Sequence, residues 1–80
     1  MNKAEVISII NEFLIDEFEI EEELLVPTAS WKDIGIDSLD FVDIVVVVED
    51  VFGLSIKGEE MANINTLQDF YSFIEVRLKA

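Results

Sequence analysis

Cysteine and histidine are both absent from the eighty residues. Without thiols, no disulfide braces the core and no metal–thiolate site can form. The two side chains that most often serve as nucleophile and near-neutral base are missing. Free-standing catalysis is therefore disfavoured, and any reactive sulfur has to arrive from outside the chain. Basic residues are scarce too: five against eighteen acidic ones, for a net charge of −13. That balance argues against nucleic acid and against anionic membranes, which both call for positive protein surface. It favours a partner with a basic surface. Long apolar runs are also missing. The longest, Ile44 to Val48, is far short of a membrane span. The opening residues MNKAEVISII are too briefly apolar and too soon acidic for a secretory signal. A soluble, cytoplasmic, monomeric protein is expected, folded as one domain over residues 1–80. A chain of this size buries only about 60–65% of its unfolded surface, so its stability should be modest.

What is present reads as helix. Val6, Ile9, Ile10, Phe13 and Leu14 fall at helical spacing, and Asn2 with Glu5 forms a capping-box pattern. A helix over about 3–16 follows. The acidic stretch DEFEIEEELL after it reads as a surface loop anchored by Phe18, Ile20 and Leu24. The connection continues through Pro27 and TASWKDIG. There Trp31 should pin the loop to the helices, with its indole nitrogen reaching a partner or water.

The run Ile44 to Val48 poses a choice. As a strand it needs burial on both faces of a sheet, and no other segment supplies one. As a helix each valine costs roughly 0.5 kcal/mol against alanine, while burial returns about 1.5–3 kcal/mol apiece at inward positions. Phe41, Val45, Val48 and Phe52 step by one helical face, with Ile44 beside them. Gly53 is placed for a left-handed C-cap with Leu54 as its hydrophobic contact. The spacing predicts a helix over 38–52. On its opposite face Leu39, Asp43, Val46 and Asp50 form a second stripe, with Asp40, Val47 and Glu49 at the margins. An apolar ridge ringed by carboxylates reads as a docking surface. A short helix at 58–62, a core plug at Ile64, and a last helix capped by Thr66 and Asp69 complete the chain. The last helix carries Leu67, Phe70, Tyr71, Ile74 and Leu78 on its apolar face. Arg77 and Lys79 sit in its last turn, where the helix dipole favours cations. The expected fold is all-α: a small four-helix bundle of three main helices and one short one, with a long first loop.

Ser38 can cap the 38–52 helix or stand free. Asp37 is the better cap, because Asp40 then falls at the third helical position, where an acid is favoured. Ser38 becomes the first helical residue with its hydroxyl outward. A phosphate attached there would meet the helix's orphan amides. A calcium loop starting at Asp33 fails in register. Gly35 takes the third ligand position, Ser38 the sixth, where glycine is needed, and Ile44 the twelfth, where glutamate belongs.

GIDSLD, followed by an acidic helix ending VEDVFG, resembles the acyl carrier protein family. TASWKDIGIDSLD before the helix and INTLQDFYSFI after it extend the resemblance over nearly the whole chain. It implies that Ser38 receives phosphopantetheine from coenzyme A, through a separate magnesium-dependent phosphopantetheinyl transferase. It implies a non-catalytic carrier that delivers acyl groups to fatty-acid or related synthase enzymes. The matching partner-recognition positions are Asp37, Leu39, Asp40, Asp43, Val46, Glu49 and Asp50. The acyl chain would fold back between helices against Phe41, Val45, Val48, Phe52, Ile64 and Phe70. Four positions depart from the common pattern: Ile34 for leucine, Phe41 for a small polar residue, Val46 for methionine, and Gly58 for an acid. They leave open a carrier for a specialised polyketide, lipid or aminoacyl pathway. From another class, an acidic helical adaptor that is never modified also remains.

Overall fold

The computed structural model describes residues 2–79. Four α-helices, α1 (Lys3–Phe18), α2 (Phe41–Phe52), α3 (Gly58–Met61) and α4 (Leu67–Lys79), follow one another, with a 3-10 turn at Glu22–Leu24 after α1. The described residues form no strand. The sole β feature described is an isolated antiparallel bridge between Ser30 and Thr66.

Local chemistry starts each helix. Asn2 Oδ1 accepts the Glu5 amide at 2.9 Å and Glu5 Oε1 accepts the Asn2 amide at 3.4 Å, the reciprocal exchange of a capping box. Thr66 and Asp69 repeat it at 3.2 and 3.3 Å. α4 gains two further partners. Its Leu67 and Gln68 amides donate to Ala29 O at 2.9 Å and Pro27 O at 3.0 Å. These are orphan donors of a helix start, and the loop carbonyls that satisfy them tie the long connection to α4.

α1 runs two residues further than its spacing predicts, because Phe18 packs half-buried against the core. It ends where Glu19 turns left-handed (φ +56°) and returns its amide to Ile15 O at 2.9 Å. Ile20 is buried as expected, but Leu24 is not an anchor. It is 44% exposed, while Leu25 is 9% exposed. The 3-10 turn, closed by Leu25 N–H to Glu22 O at 3.0 Å, rotates the chain so that the second leucine faces inward.

α2 is helical through the valine run, and Ile44 and Val48 are fully buried. Gly53 (φ +69°) ends it, donating to Glu49 O at 2.9 Å. A left-handed cap of this kind favours glycine. α3 stops at Met61, one residue earlier than the spacing suggests. α1 packs on α4 and α2 on α3. The core gathers Val6, Ile10 and Leu14 of α1, Ile44 and Val48 of α2, Met61 of α3, and Leu67, Phe70 and Ile74 of α4. Polar ties cross between helices: Tyr71 OH donates to Asn11 Oδ1, and Arg77 pairs with Glu60 while lying over the Phe73 ring at 4.7 Å.

Candidate functional site

The approach to α2 is built by two short turns in series. In the first, Ser30 Oγ accepts the Asp33 amide at 3.1 Å and Asp33 Oδ2 accepts the Ser30 amide at 3.0 Å. The Ser30 amide, and after it the Ser30 hydroxyl, favour the charged carboxylate and hold Asp33 below its usual pKa. The sequence signal was a serine three residues before an aspartate, and the reading above passed over it. Ile36 N–H then donates to Trp31 O at 2.8 Å. Gly35 reaches φ +78° between them, a conformation L side chains rarely adopt.

In the second turn Asp37 Oδ1 accepts the Leu39 amide at 2.9 Å and the Asp40 amide at 3.3 Å. Asp40 Oδ2 returns to the Asp37 amide at 3.1 Å. Asp37 thus caps and Asp40 reciprocates, as the spacing predicts. The helix bounds differ. Residues 38–40 form a tighter turn closed by Asp40 N–H to Asp37 O and Phe41 N–H to Ser38 O. Regular α-helical bonding begins with Ile44 N–H to Asp40 O at 3.1 Å. With the two carboxylates taking the first amides, the chain enters α2 by i→i+3 bonds.

Ser38 stands in this turn, solvent-exposed, between the two capping acids. Its hydroxyl forms no hydrogen bond among the described residues; the Leu39 and Asp40 amides that follow it are taken by Asp37 Oδ1. A free primary hydroxyl on an exposed turn fits a group attached from outside. No cluster of three or more acidic side chains positioned to hold a metal ion occurs among the described residues.

Residues 8–74 match the family described as a phosphopantetheine attachment site. An acyl carrier protein of Thermosynechococcus vestitus is 33% identical over 81 residues, covering all of this chain and all of that protein. The chain belongs to the acyl carrier protein family. Its cofactor is phosphopantetheine, and its role is to carry acyl groups. Membership also implies modification by a phosphopantetheinyl transferase and work with synthase partners.

On this carrier the acidic and apolar residues of the α2 stripe share one outward face. Leu39 is 81% exposed, and Asp43, Val46, Glu49 and Asp50 are exposed below it. Asp37 is exposed and Asp40 half-buried, both occupied in the capping turn. Val47 turns partly into the core. Val42, which the sequence reading passed over, is 64% exposed. It stands three residues after Leu39 and four before Val46, so helical spacing placed it on the same ridge. No Lys or Arg occurs between Lys32 and Lys57, so the segment that builds this face has no basic residue of its own.

The six positions named for an acyl chain divide by depth. Val48, Ile64 and Phe70 are buried, while Phe41, Val45 and Phe52 are half-buried against the core. Trp31 lies among them at 8% exposure. Its ring meets Phe41 edge-on at 5.8 Å and Phe70 at 5.2 Å. It pins the loop as expected, but its Nε1 has no protein partner among the described residues. The loop places the indole between two phenyl rings, which offer no acceptor oxygen.

Proposed function

We propose that Ser38 is the attachment residue, and that the protein carries acyl intermediates to fatty-acid or related synthase enzymes along the α2 face. What supports this most directly is the exposed Ser38 hydroxyl, free of protein hydrogen bonds, in a turn whose amides its acidic neighbours already satisfy. In the transfer, Ser38 Oγ forms the bond to phosphorus, its proton leaves, and the nucleotide half of coenzyme A departs. The attached arm supplies a thiol on which acyl groups travel as thioesters. The chain's own residues hold the turn rigid and present the docking face. Leu39, Val42 and Val46 seat in shallow apolar pockets of a partner, while Asp37, Asp40, Asp43, Glu49 and Asp50 meet its basic rim. Val45, Val48, Phe52, Ile64 and Phe70 with Phe41 line the interior on which cargo bears. The protein works as a cytoplasmic monomer.

The test is intact mass after incubation with coenzyme A, magnesium and a broad-range phosphopantetheinyl transferase. A gain of one phosphopantetheinyl group, absent in Ser38→Ala, is the expected result. Unchanged wild-type mass overturns the carrier assignment of Ser38 and leaves an unmodified acidic adaptor.

A further inference from the structure

Asp37, Ser38 and Leu39 are all exposed, so burial fixes none of the three. Ile36 before them is buried, and Phe41 after them packs half-buried on the core. Between these anchors the backbone closes the turn with Asp40 N–H to Asp37 O at 3.1 Å and Phe41 N–H to Ser38 O at 3.3 Å. The Asp40 carboxylate adds a further constraint. Its Oδ2 accepts the Asp37 amide at 3.1 Å, the sole partner of that amide among the described residues. Asp37 Oδ1 answers on the Leu39 and Asp40 amides. Ser38 is therefore spanned by side-chain bonds running both ways across it. Asp40 is also the one half-buried residue of the four, whereas Asp43 and Asp50 further along α2 are exposed.

We propose that Asp40 is a positioning residue for phosphopantetheine transfer, holding the Ser38 backbone, and with it Oγ, in one geometry through the Asp37 amide. This inference rests on attachment at Ser38 and gives Asp40 a role apart from its charge. In the transfer the bond from Ser38 Oγ to phosphorus forms as the pyrophosphate bridge of coenzyme A breaks. The nucleotide half leaves with the bridging electron pair, and a base of the transferase takes the Oγ proton. Misplacing a reacting atom by about 1 Å can cost on the order of 100-fold. A turn that burial does not hold therefore depends on the bonds that close it. What the Asp37 amide needs is an acceptor oxygen, and an asparagine side chain carries one without the charge. A contact with a basic partner needs the charge, and it weakens in salt. The two roles of Asp40 can therefore be separated.

The test compares wild type, Asp40→Ala and Asp40→Asn as substrates of a broad-range phosphopantetheinyl transferase, with kcat/KM read at low salt and at about 0.5 M sodium chloride, where screening is within about 4–5 Å. Alanine is the best helix former, so α2 itself keeps its helix and the loss falls on the turn. Asp40→Ala is expected to stay about fivefold below wild type at high salt, the factor that one hydrogen bond represents. Any loss in Asp40→Asn should shrink as salt is added. The Leu39 amide keeps Asp37 Oδ1 as its acceptor in all three proteins. Faster hydrogen exchange there therefore reports a looser turn, expected in Asp40→Ala and not in Asp40→Asn. Asp69 closes the same reciprocal box with Thr66 at the start of α4. Asp69→Ala should lower Tm as Asp40→Ala does and leave transfer at the wild-type rate. Equal losses in Asp40→Ala and Asp40→Asn at high salt overturn the proposal, as does unchanged Leu39 exchange in Asp40→Ala. An Asp69→Ala that slows transfer as much as Asp40→Ala also overturns it, because the effect is then one of stability alone. Those results leave attachment intact. A wild-type protein that gains no mass overturns attachment at Ser38, and this inference with it.

Discussion

Single side chains set the pH range over which the bundle holds. Tyr71 is 2% exposed, and its hydroxyl links α4 to α1 through Asn11. Burial pushes its phenol above the ordinary value, because the interior disfavours the phenolate. A group raised in the folded state stabilises fully below its unfolded pKa, about 10 for tyrosine. That stability is lost as pH rises through the higher folded value, because the unfolded chain releases the proton first. Denaturant midpoints should therefore fall above about pH 10. Tyr71→Phe should lose about 1 kcal/mol at neutral pH, the worth of one hydrogen bond, and show a shallower alkaline decline. Because Tyr71 is the sole tyrosine, phenolate absorbance reads its titration directly. A midpoint at the free-tyrosine value would contradict the account. Asp33 works in the opposite direction. Its lowered pKa gives a contribution present above the unfolded carboxylate value and lost as acid protonates it, and its exposure keeps that contribution small.

At the scale of the helix, α2 separates propensity from burial within one run of valines. Val42 is exposed and Ile44 is fully buried. Val42→Ala trades a β-branched residue for the best helix former and should stabilise by about 0.5 kcal/mol. Ile44→Ala loses buried methyl groups and leaves a cavity, at about 2–5 kcal/mol. Chemical denaturation of both variants checks the pair, and a destabilising Val42→Ala would mean that its side chain packs on the protein after all. The same contrast explains what the sequence disclosed. Caps are local, so Asn2/Glu5, Asp37/Asp40 and Thr66/Asp69 could be read from three-residue spacing, and Ser30/Asp33 could have been. Facing is periodic, so the outward position of Leu39 and Val46 was legible too. The Leu24–Leu25 reversal was not, because a 3-10 turn resets the phase between helices. Nor was the tight entry into α2, because i→i+3 and i→i+4 starts share one capping pattern. The orphaned Trp31 Nε1 depends on two rings from distant parts of the chain, Phe41 and Phe70, and a tertiary neighbour of that kind leaves no periodic trace.

For the molecule as a whole, charge is the dominant imbalance. A net −13 spread over eighty residues repels itself in the compact state, and few cations offset it. One of the five, Arg77, is paired with Glu60. The same charge that would attract the basic partner proposed for α2 therefore strains the bundle that carries α2. Added salt screens exposed charges beyond about 10 Å at 0.1 M, so Tm should climb with sodium chloride by about 4–8 °C for each kcal/mol of repulsion removed. Magnesium should raise it as well. With no chelating group of acids among the described residues, its effect should grow gradually with concentration, without saturating as a discrete site would. Thermal melts across the two salts read both trends. A Tm that stays flat or falls in sodium chloride would show that self-repulsion does not limit this fold. A steep, saturating response to magnesium alone would point instead to one specific cation site.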